Sequence, residues 1–353
     1  MLIIVALAPL SARAQDAPFI LVDADTGAVL AENRSGELWY PASLTKLMTV
    51  YLVFEALEDE RLQLDSPVTV SARALAEPPS KMGFPAGTVI TVDNALKMLI
   101  VKSANDIAVA VAEMMAGSES AFIMQMNAAA QRLGLTGTNF INPHGLPGSG
   151  QSTTARDMAV LARTIWNDFP QYRELFAIGA ISYGATLMPS ANTLLEFYPG
   201  ANGMKTGYIC AAGFNLVGSA TRSGRTLIVV VLGETTPLRR AERAALLLDR
   251  GFGGMVNVIA ASVEAFTPRL PSAAPADMRG TVCPTPAPDA EVIASPEATP
   301  GPITAILGWP LIPQTPVPVF TGGADMDATI FVPVPVPRPR PPPLGAALDL
   351  MPG

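Results

Sequence analysis

The amino-acid sequence predicts an α/β (α+β) protein, with helices flanking an antiparallel sheet and a further group of helices forming an inserted lobe. Two short apolar runs around Gly27, in residues 19–33, indicate a hairpin. A second pair of β-branched runs lies on either side of residues 222–224. Amphipathic helical patterns fill the chain between these pairs, and one more follows the second pair. Strands drawn from both ends of a chain, with helices between and after them, indicate this layered architecture.

The helical segments can be placed in order along the chain. One begins near Ser43, and residues 92–117 read as two helices broken near Lys102. Residues 62–75 form a short extended piece. The remaining helices are predicted in residues 118–135, where Gly134 ends the helix, and in residues 154–169 and 238–252.

Composition narrows the classes of function. A chain of 353 residues with 49% hydrophobic residues can bury one sizeable core and carry an appended segment. The net charge of -7 argues against nucleic acid as a partner. With one histidine and two cysteines, neither a metal site nor a cofactor is expected. Cys210 and Cys283 could form a disulfide, but two unpaired thiols are the favoured interpretation.

The N-terminus predicts export. Residues 2–10 are an apolar run too short to span a bilayer, and Ala12-Arg13-Ala14 follows as a small-x-small cleavage pattern. We therefore expect residues 1–14 to be a signal peptide cut after Ala14, and the mature protein to be periplasmic.

The C-terminal part of the chain changes in character near residue 264. Most of the 34 prolines lie beyond this point, including the run "FVPVPVPRPRPPPLG". Such stretches favour polyproline II over a regular sheet. The predicted organisation is one folded domain in residues 15–263 and a mostly extended or disordered tail in residues 264–353. A small β-rich module in residues 305–320 is the alternative for the middle of the tail.

Three short motifs carry the chemistry. Ser43 and Lys46 form an S-x-x-K pair about one helical turn apart, so both side chains lie on one face. Ser103 and Asn105 form an S-x-N element at the predicted helix break. Lys205 opens a K-T-G element at the start of a predicted strand. Each motif alone is a weak signal, but the three in this order are the set of serine acylating enzymes.

The residue types fit nucleophilic catalysis. A serine hydroxyl needs a neighbouring base, and Lys46 can be that base if burial and the charge of Lys205 lower its pKa. Ser103 can relay a proton to the leaving amine, and Asn105 can hold Lys46 and a substrate amide. The backbone N–H groups of Ser43 and Tyr208 are the expected oxyanion donors.

The substrate-binding residues are expected on the predicted K-T-G strand. Lys205 and Thr206 are placed to bind a carboxylate, and Gly207 lets substrate lie against the strand. His144, the single histidine, is expected to stabilise a turn and not to act in catalysis.

The sequence resembles the D-alanyl-D-alanine carboxypeptidases, which are low-molecular-mass penicillin-binding proteins and serine peptidases. The resemblance covers roughly residues 17–258 and rests on "PASLTKLMT", "VKSANDIAVAVAE", "NPHGLPGSGQSTTARDMA" and "GMKTGYICAAGFNLVGSATR". It implies a β-lactamase/transpeptidase-like fold, an acyl-enzyme, peptidoglycan stem peptides as substrates and β-lactam antibiotics as acylating inhibitors.

The resemblance also assigns residues. It implies Ser43 as nucleophile, Lys46 as base, and Ser103 with Asn105 as the second element; Lys205, Thr206 and Gly207 become the substrate-binding strand. An arginine ahead of the last helix often holds the substrate carboxylate in this family, and Arg240 matches better than Arg239. Two departures, Ala104 within S-x-N and Tyr208 after K-T-G, are expected to retune specificity.

Other interpretations stay open. A D,D-endopeptidase acting on crosslinked peptidoglycan would use the same residues. A non-catalytic peptidoglycan-binding or scaffold module is the alternative from a different class. A class A β-lactamase would need a glutamate in an E-x-x-L-N context between the second and third motifs, and none occurs. The residues "LGAALDLMPG" lack the basic face of a membrane-surface helix, so membrane association should be weak at most.

Overall fold

The computed structural model describes residues 17–268, 274–283, 311 and 315–322. The predicted signal peptide lies outside the described residues. The strands are β1 (Phe19–Asp23), β2 (Val29–Asn33), β3 (Pro67–Thr69), β4 (Val89–Thr91), β5 (Ala180–Tyr183), β6 (Thr186–Pro189), β7 (Ala201–Ile209), β8 (Gly213–Arg222), β9 (Arg225–Glu234) and β10 (Val317–Pro318).

Eight α-helices lie between β2 and β7, and two more follow β9 in the part of the chain that the structure describes. They are α1 (Lys46–Glu58), α2 (Ala72–Leu75), α3 (Val92–Lys97), α4 (Asn105–Ala116), α5 (Glu119–Arg132), α6 (Ala155–Asp168), α7 (Arg173–Phe176), α8 (Leu194–Phe197), α9 (Pro237–Phe252) and α10 (Arg279–Val282). The predicted α/β class with an inserted helical lobe is confirmed.

The main sheet has five antiparallel strands in the order β2-β1-β9-β8-β7. Both predicted strand pairs are present. The turn between β8 and β9 has positive φ at Ser223 and Gly224, the conformation of the tight turns that suit the twist of a hairpin. This order leaves β7, which carries the K-T-G motif, at one edge of the sheet.

The sheet is buried on both faces, which is why β9 reads as a continuous apolar run. Val229 and Val231 belong to the core shared with α9, whereas Ile228 and Val230 belong to the core shared with α1 and α6. The inserted lobe is therefore not a separate layer: α1 joins its core to that of the sheet.

Local structure differs from expectation in two places. The extended piece predicted in residues 62–75 is only three residues of strand, because Ser71 caps α2 by accepting from the N–H of Ala74. The K-T-G motif lies in the middle of its strand and not at the start. Asn202-Gly203, a turn signal by composition, instead lies at an irregularity in the pairing of β7 with β8.

Cys210 and Cys283 are joined in a disulfide, so the favoured interpretation of two unpaired thiols is wrong. Their Cα atoms lie 5.7 Å apart, within the range that a disulfide needs. The separation of 73 residues in the chain gave no hint of this proximity.

Other described parts of the C-terminal region also pack on the fold formed by residues 17–263. β10 pairs in parallel with β5, and the side chain of Val319 is buried. The N–H of Phe320 donates to Oδ1 of Asn94 at 3.0 Å. Among the described residues, no single helix is long and apolar enough to span a membrane, although the bent pair α4 and α5 meets that length and composition jointly.

Candidate active site

Ser43 lies in a 3₁₀ turn, Ala42–Thr45, directly before α1. Ala42 has a positive φ of 47°, a conformation that non-glycine residues rarely adopt. Such strain is common at functional sites and persists only where the surroundings enforce it. Here Asn215 on β8 donates to the carbonyls of Tyr40 and Pro41, at 2.9 and 3.3 Å, and so attaches the turn to the sheet.

Lys46 is buried, with 1% of its surface exposed, and its ammonium group has three acceptors. Nζ donates to Oγ of Ser43 at 3.2 Å, to Oδ1 of Asn105 at 2.7 Å and to the carbonyl of His144 at 2.8 Å. These contacts come from three separate parts of the chain, and they aim the amine at the serine hydroxyl.

The surroundings of Lys46 favour its neutral form. Burial, and then the positive charge of Lys205, hold its pKa well below the usual lysine value. The carboxylates of Asp106 and Glu77 act in the opposite direction. A hydroxyl beside a buried amine of lowered pKa is an activated nucleophile.

Ser103 and Asn105 lie at the predicted helix break. A π-helical turn, Met98–Lys102, follows α3, and Ser103 then takes a left-handed conformation with φ 61°. Asn105 begins α4, and its amide donates to the carbonyl of Pro78 at 3.0 Å. The break therefore turns Ser103 toward β7 while Asn105 holds Lys46.

Lys205 reaches across the site from β7. Its Nζ donates to Oγ of Ser103 at 3.0 Å and to the carbonyl of Thr206 at 3.0 Å. Burial, with a contribution from the charge of Arg240, lowers the pKa of Lys205 to about 7. The three motifs are thus joined by the contacts Ser43–Lys46, Lys46–Asn105 and Ser103–Lys205.

Gly207 lies against the Ser43 turn. A Cβ at this position would lie 2.9 Å from the carbonyl oxygen of Pro41 and 3.1 Å from the backbone nitrogen of Ser43. Glycine is therefore required for close packing of β7 on the 3₁₀ turn that contains Ser43. This reason differs from the expected one, which was room for substrate along the strand.

Tyr208 follows on the free edge of the sheet. The carbonyl of Thr206 accepts from Lys205 outside the pairing with β8, and backbone groups two residues apart point to the same edge. The N–H of Tyr208 therefore faces the open edge. Its ring stacks on Phe214, with centroids 4.3 Å apart, and its hydroxyl lies 3.2 Å from Sγ of Cys283.

Arg239 is exposed, whereas Arg240 is buried, with 3% of its surface exposed. Its Nη2 donates to the carbonyl of Ala191 at 2.7 Å, and Nε has no hydrogen-bond partner among the described residues. Burial lowers its pKa to about 10. It contributes positive charge near Lys205.

Two residues that support the site were not predicted from the sequence. Asn215 has no motif around it, although the stretch containing it was part of the resemblance. Glu77, 4% exposed, lies outside all three motifs and near the His144 turn. Among the described residues, no group of acidic, histidine or cysteine side chains could hold a metal ion.

Solved structures of penicillin-binding proteins share this fold. Penicillin binding protein 5 from Haemophilus influenzae is 35% identical, with a TM-score of 0.66 over 70% of this chain and 73% of that one. Penicillin-Binding Protein D2 from Listeria monocytogenes, solved in an ampicillin-bound form, is 25% identical, with a TM-score of 0.59 over 69% of this chain and 99% of that one. The fold and the site define the class of penicillin-binding proteins.

The family within that class follows from the sequence. A model of the D-alanyl-D-alanine carboxypeptidase family, Peptidase_S11, matches residues 6–236. D-alanyl-D-alanine carboxypeptidase DacC of Escherichia coli is 39% identical over 241 residues, which are 66% of this chain and 60% of that protein. The chain belongs to this family, which confirms the resemblance. It spans 60% of the length of the Escherichia coli relative, and 61% of the length of D-alanyl-D-alanine carboxypeptidase DacF of Bacillus subtilis.

Proposed function

We propose that the protein is a serine-type D-Ala-D-Ala carboxypeptidase that removes the terminal D-alanine from peptidoglycan pentapeptides. The observation that carries the proposal is the 3.2 Å contact between Oγ of Ser43 and Nζ of Lys46, an amine of lowered pKa. Family membership supports the substrate class. An acylating penicillin would enter the same reaction at the same serine.

In the proposed acylation step, Lys46 takes the hydroxyl proton of Ser43 as Oγ attacks the carbonyl carbon of the penultimate D-alanine. The N–H groups of Ser43 and Tyr208 stabilise the oxyanion. The peptide C–N bond then breaks, and Ser103 relays the proton that Lys46 took up to the leaving amine of the terminal D-alanine, so that Lys46 is neutral again. Water attacks the resulting ester and releases the shortened peptide.

The substrate carboxylate would be bound by Lys205 and Thr206, with Arg240 adding positive charge beneath them. This grouping explains why a substrate with a free C-terminal carboxylate fits the site. The protein would act in the periplasm, after export by its N-terminal signal peptide, with no more than weak membrane association. Endopeptidase cleavage of a crosslink is the alternative reaction at the same residues.

The test combines labelling and product analysis. Ser43→Ala removes a small, half-buried hydroxyl, so the variant should stay folded and lose both fluorescent penicillin labelling and D-alanine release. Acyl-enzyme formation by the variant would contradict Ser43 as nucleophile. Absence of labelling in the unaltered protein would favour a binding module, and rapid turnover of the label a β-lactamase. Cleavage of a crosslinked muropeptide in preference to a pentapeptide would favour the endopeptidase.

A further inference from the structure

The third acceptor of the Lys46 ammonium is the backbone carbonyl of His144, in a buried turn. Asn142 and Gly145 close the turn, since Oδ1 of Asn142 accepts from the N–H of Gly145 at 2.6 Å. Gly145 has φ +90°, and a Cβ there would collide with the carbonyl of Ala42. The His144 turn thus packs against the 3₁₀ turn that contains Ser43. A contact that orients His144 therefore also orients its carbonyl, which accepts from the Lys46 amine, the proposed base.

The imidazole of His144 has a defined tautomer. It is 4% exposed, and burial together with the charges of Lys46 and Arg73 holds its pKa well below the usual value, so the ring is neutral. Nδ1 accepts from the N–H of Leu146 at 3.1 Å. The ring proton must therefore be on Nε2.

Nε2 of His144 lies beside a buried carboxylate without forming a hydrogen bond to it. It lies 3.3 Å from Oε2 of Glu77, and it has no regular hydrogen bond among the described residues. The carboxylate of Glu77 is therefore a polar group within reach of this buried donor, through an electrostatic contact and not a hydrogen bond.

Glu77 is itself held by an arginine. Its Oε1 is paired with Nη1 of Arg73, and Nη2 of Arg73 lies 2.9 Å from Oε2 of Glu119. Arg73 and Glu119 line a groove of about 630 Å³ on the helical lobe. The chain of contacts therefore runs from this groove through Glu77 and His144 to Lys46.

The charge of Glu77 also acts on Lys46. The other charged groups that act on Lys46 are Lys205 on β7 and Asp106 on α4. Asp106 is committed to the N–H groups of Met82 and Gly83, at 3.1 and 2.8 Å. The negative charge of Glu77 raises the pKa of Lys46, against the larger effects of burial and Lys205.

We propose that Glu77 is a positioning residue for the acylation reaction: its carboxylate fixes the His144 ring, and thereby the carbonyl that holds the Lys46 amine toward Ser43. This inference rests on the proposed function, since it assigns Glu77 a task only if Lys46 is the base. Glu77 does not touch the nucleophile or the substrate edge of β7, so it acts through other residues.

The experiment measures the rate constant of acylation by a fluorescent penicillin against pH, across the range in which Lys46 titrates. Glu77→Gln keeps an acceptor for Nε2 of His144 and removes the charge. Glu77→Ala removes both. Glu113→Gln is the matched control, because Glu113 lines the same groove outside the chain of contacts. Thermal unfolding checks that each variant is folded.

Glu77→Gln should keep the maximal rate within about twofold and move the acid limb of the profile to lower pH by about half a unit. The acid limb moves to lower pH because loss of the Glu77 charge disfavours the ammonium form of Lys46. The positive charge of Arg73 is then also less neutralised, which acts in the same direction. Glu77→Ala should show the same shift and a maximal rate about tenfold lower, because the carbonyl of His144 is no longer held. Glu113→Gln should match the unaltered protein.

A folded Glu77→Ala that acylates at the maximal rate of the unaltered protein would overturn the positioning role. A profile of Glu77→Gln that coincides with that of the unaltered protein would overturn the effect of the Glu77 charge on Lys46. A purely structural role would lower stability without moving the acid limb. Failure of the proposed function is distinguishable, because the unaltered protein would then not be acylated at all.

Discussion

At the scale of single residues, the site depends on two buried lysines with different tasks. In the proposed reaction Lys46 needs to lose its proton, and its amine contacts Ser43, Asn105 and the carbonyl of His144. The proposed binding of a carboxylate by Lys205 needs positive charge on its amine, which donates to Ser103 and to the carbonyl of Thr206. Because the two positive charges repel each other, an apparent pKa measured here belongs to the pair of lysines and not to either residue alone.

The first residue-scale prediction concerns this pair. The acylation rate should rise with pH through an apparent pKa well below 10.5, since burial and Lys205 disfavour the charged form of Lys46. Lys205→Gln should move this limb to higher pH, because removing a cation lets Lys46 hold its proton longer. Lys46→Arg should not acylate, because guanidinium cannot release its proton. Acylation by Lys46→Arg would remove lysine as the base.

The second residue-scale prediction concerns Gly207. In Gly207→Ala the new Cβ would meet backbone atoms of Pro41 and Ser43, which cannot rotate away. Strand β7 and the 3₁₀ turn that contains Ser43 must then move apart. The acylation rate should therefore fall about a hundredfold while the protein stays folded. Gly280→Ala is the control, since a Cβ there meets nothing within 4 Å. Equal rates for both variants would show that the turn tolerates the shift.

At the scale of elements, strand β7 is tied to a segment far along the chain. The Cys210–Cys283 disulfide attaches α10 just beyond the end of β7, and Tyr208 lies beside its sulfurs. Arg279 and Tyr40 line a small cavity there of about 300 Å³, together with the loop at residues 147–149. The disulfide thus holds this segment next to the C-terminal end of β7.

We predict that reduction, or the Cys210→Ser/Cys283→Ser double variant, will release the segment. The loop-entropy argument puts the loss of stability at up to about 4 kcal/mol. Trypsin cleavage after Arg279 should then become faster, whereas cleavage in the oxidised protein should be slow. Thiol titration of the denatured protein should find no free cysteine before reduction. Free thiols, or a cleavage rate that reduction does not change, would contradict the bond.

At the scale of the whole molecule, the residues around position 263 form the junction between the catalytic domain and the proline-rich region. Val263 is fully buried, and its N–H donates to the carbonyl of Gly27 at 2.8 Å. Arg156 donates through Nε to the carbonyl of Val263 at 3.0 Å and through Nη2 to that of Glu264 at 2.5 Å. The packing of the domain therefore continues past its predicted boundary.

Two truncated chains test this junction. A chain ending at residue 262 should be less stable than one ending at 268 by about 3 kcal/mol, from one lost valine side chain and the unpaired donors of buried Arg156. Both should acylate, because the three motifs and α9 precede either end. Urea unfolding measures the difference, and labelling measures the activity. Equal stability would show that residues 263–268 add nothing to the domain.

Much of this molecule was predictable from the sequence. Strands and helices were recognisable because their apolar periodicity is local, and the helix break at Lys102 and the tight turn at Ser223-Gly224 have local signals. The three motifs could be placed because each lies within a few residues of chain. Their joining into one site follows from the resemblance, and the contacts between Lys46, Asn105, Ser103 and Lys205 agree with it.

Only the tertiary structure decided which distant residues meet. The disulfide required Cys210 and Cys283 to come within bonding distance, which no spacing in the chain encodes. The task of Gly207 depends on a neighbouring turn, and the link from Glu77 to Lys46 depends on how the His144 turn packs between them. Sequence patterns report periodicity along one segment, whereas these features are contacts between segments, which exist only once the core has brought them together.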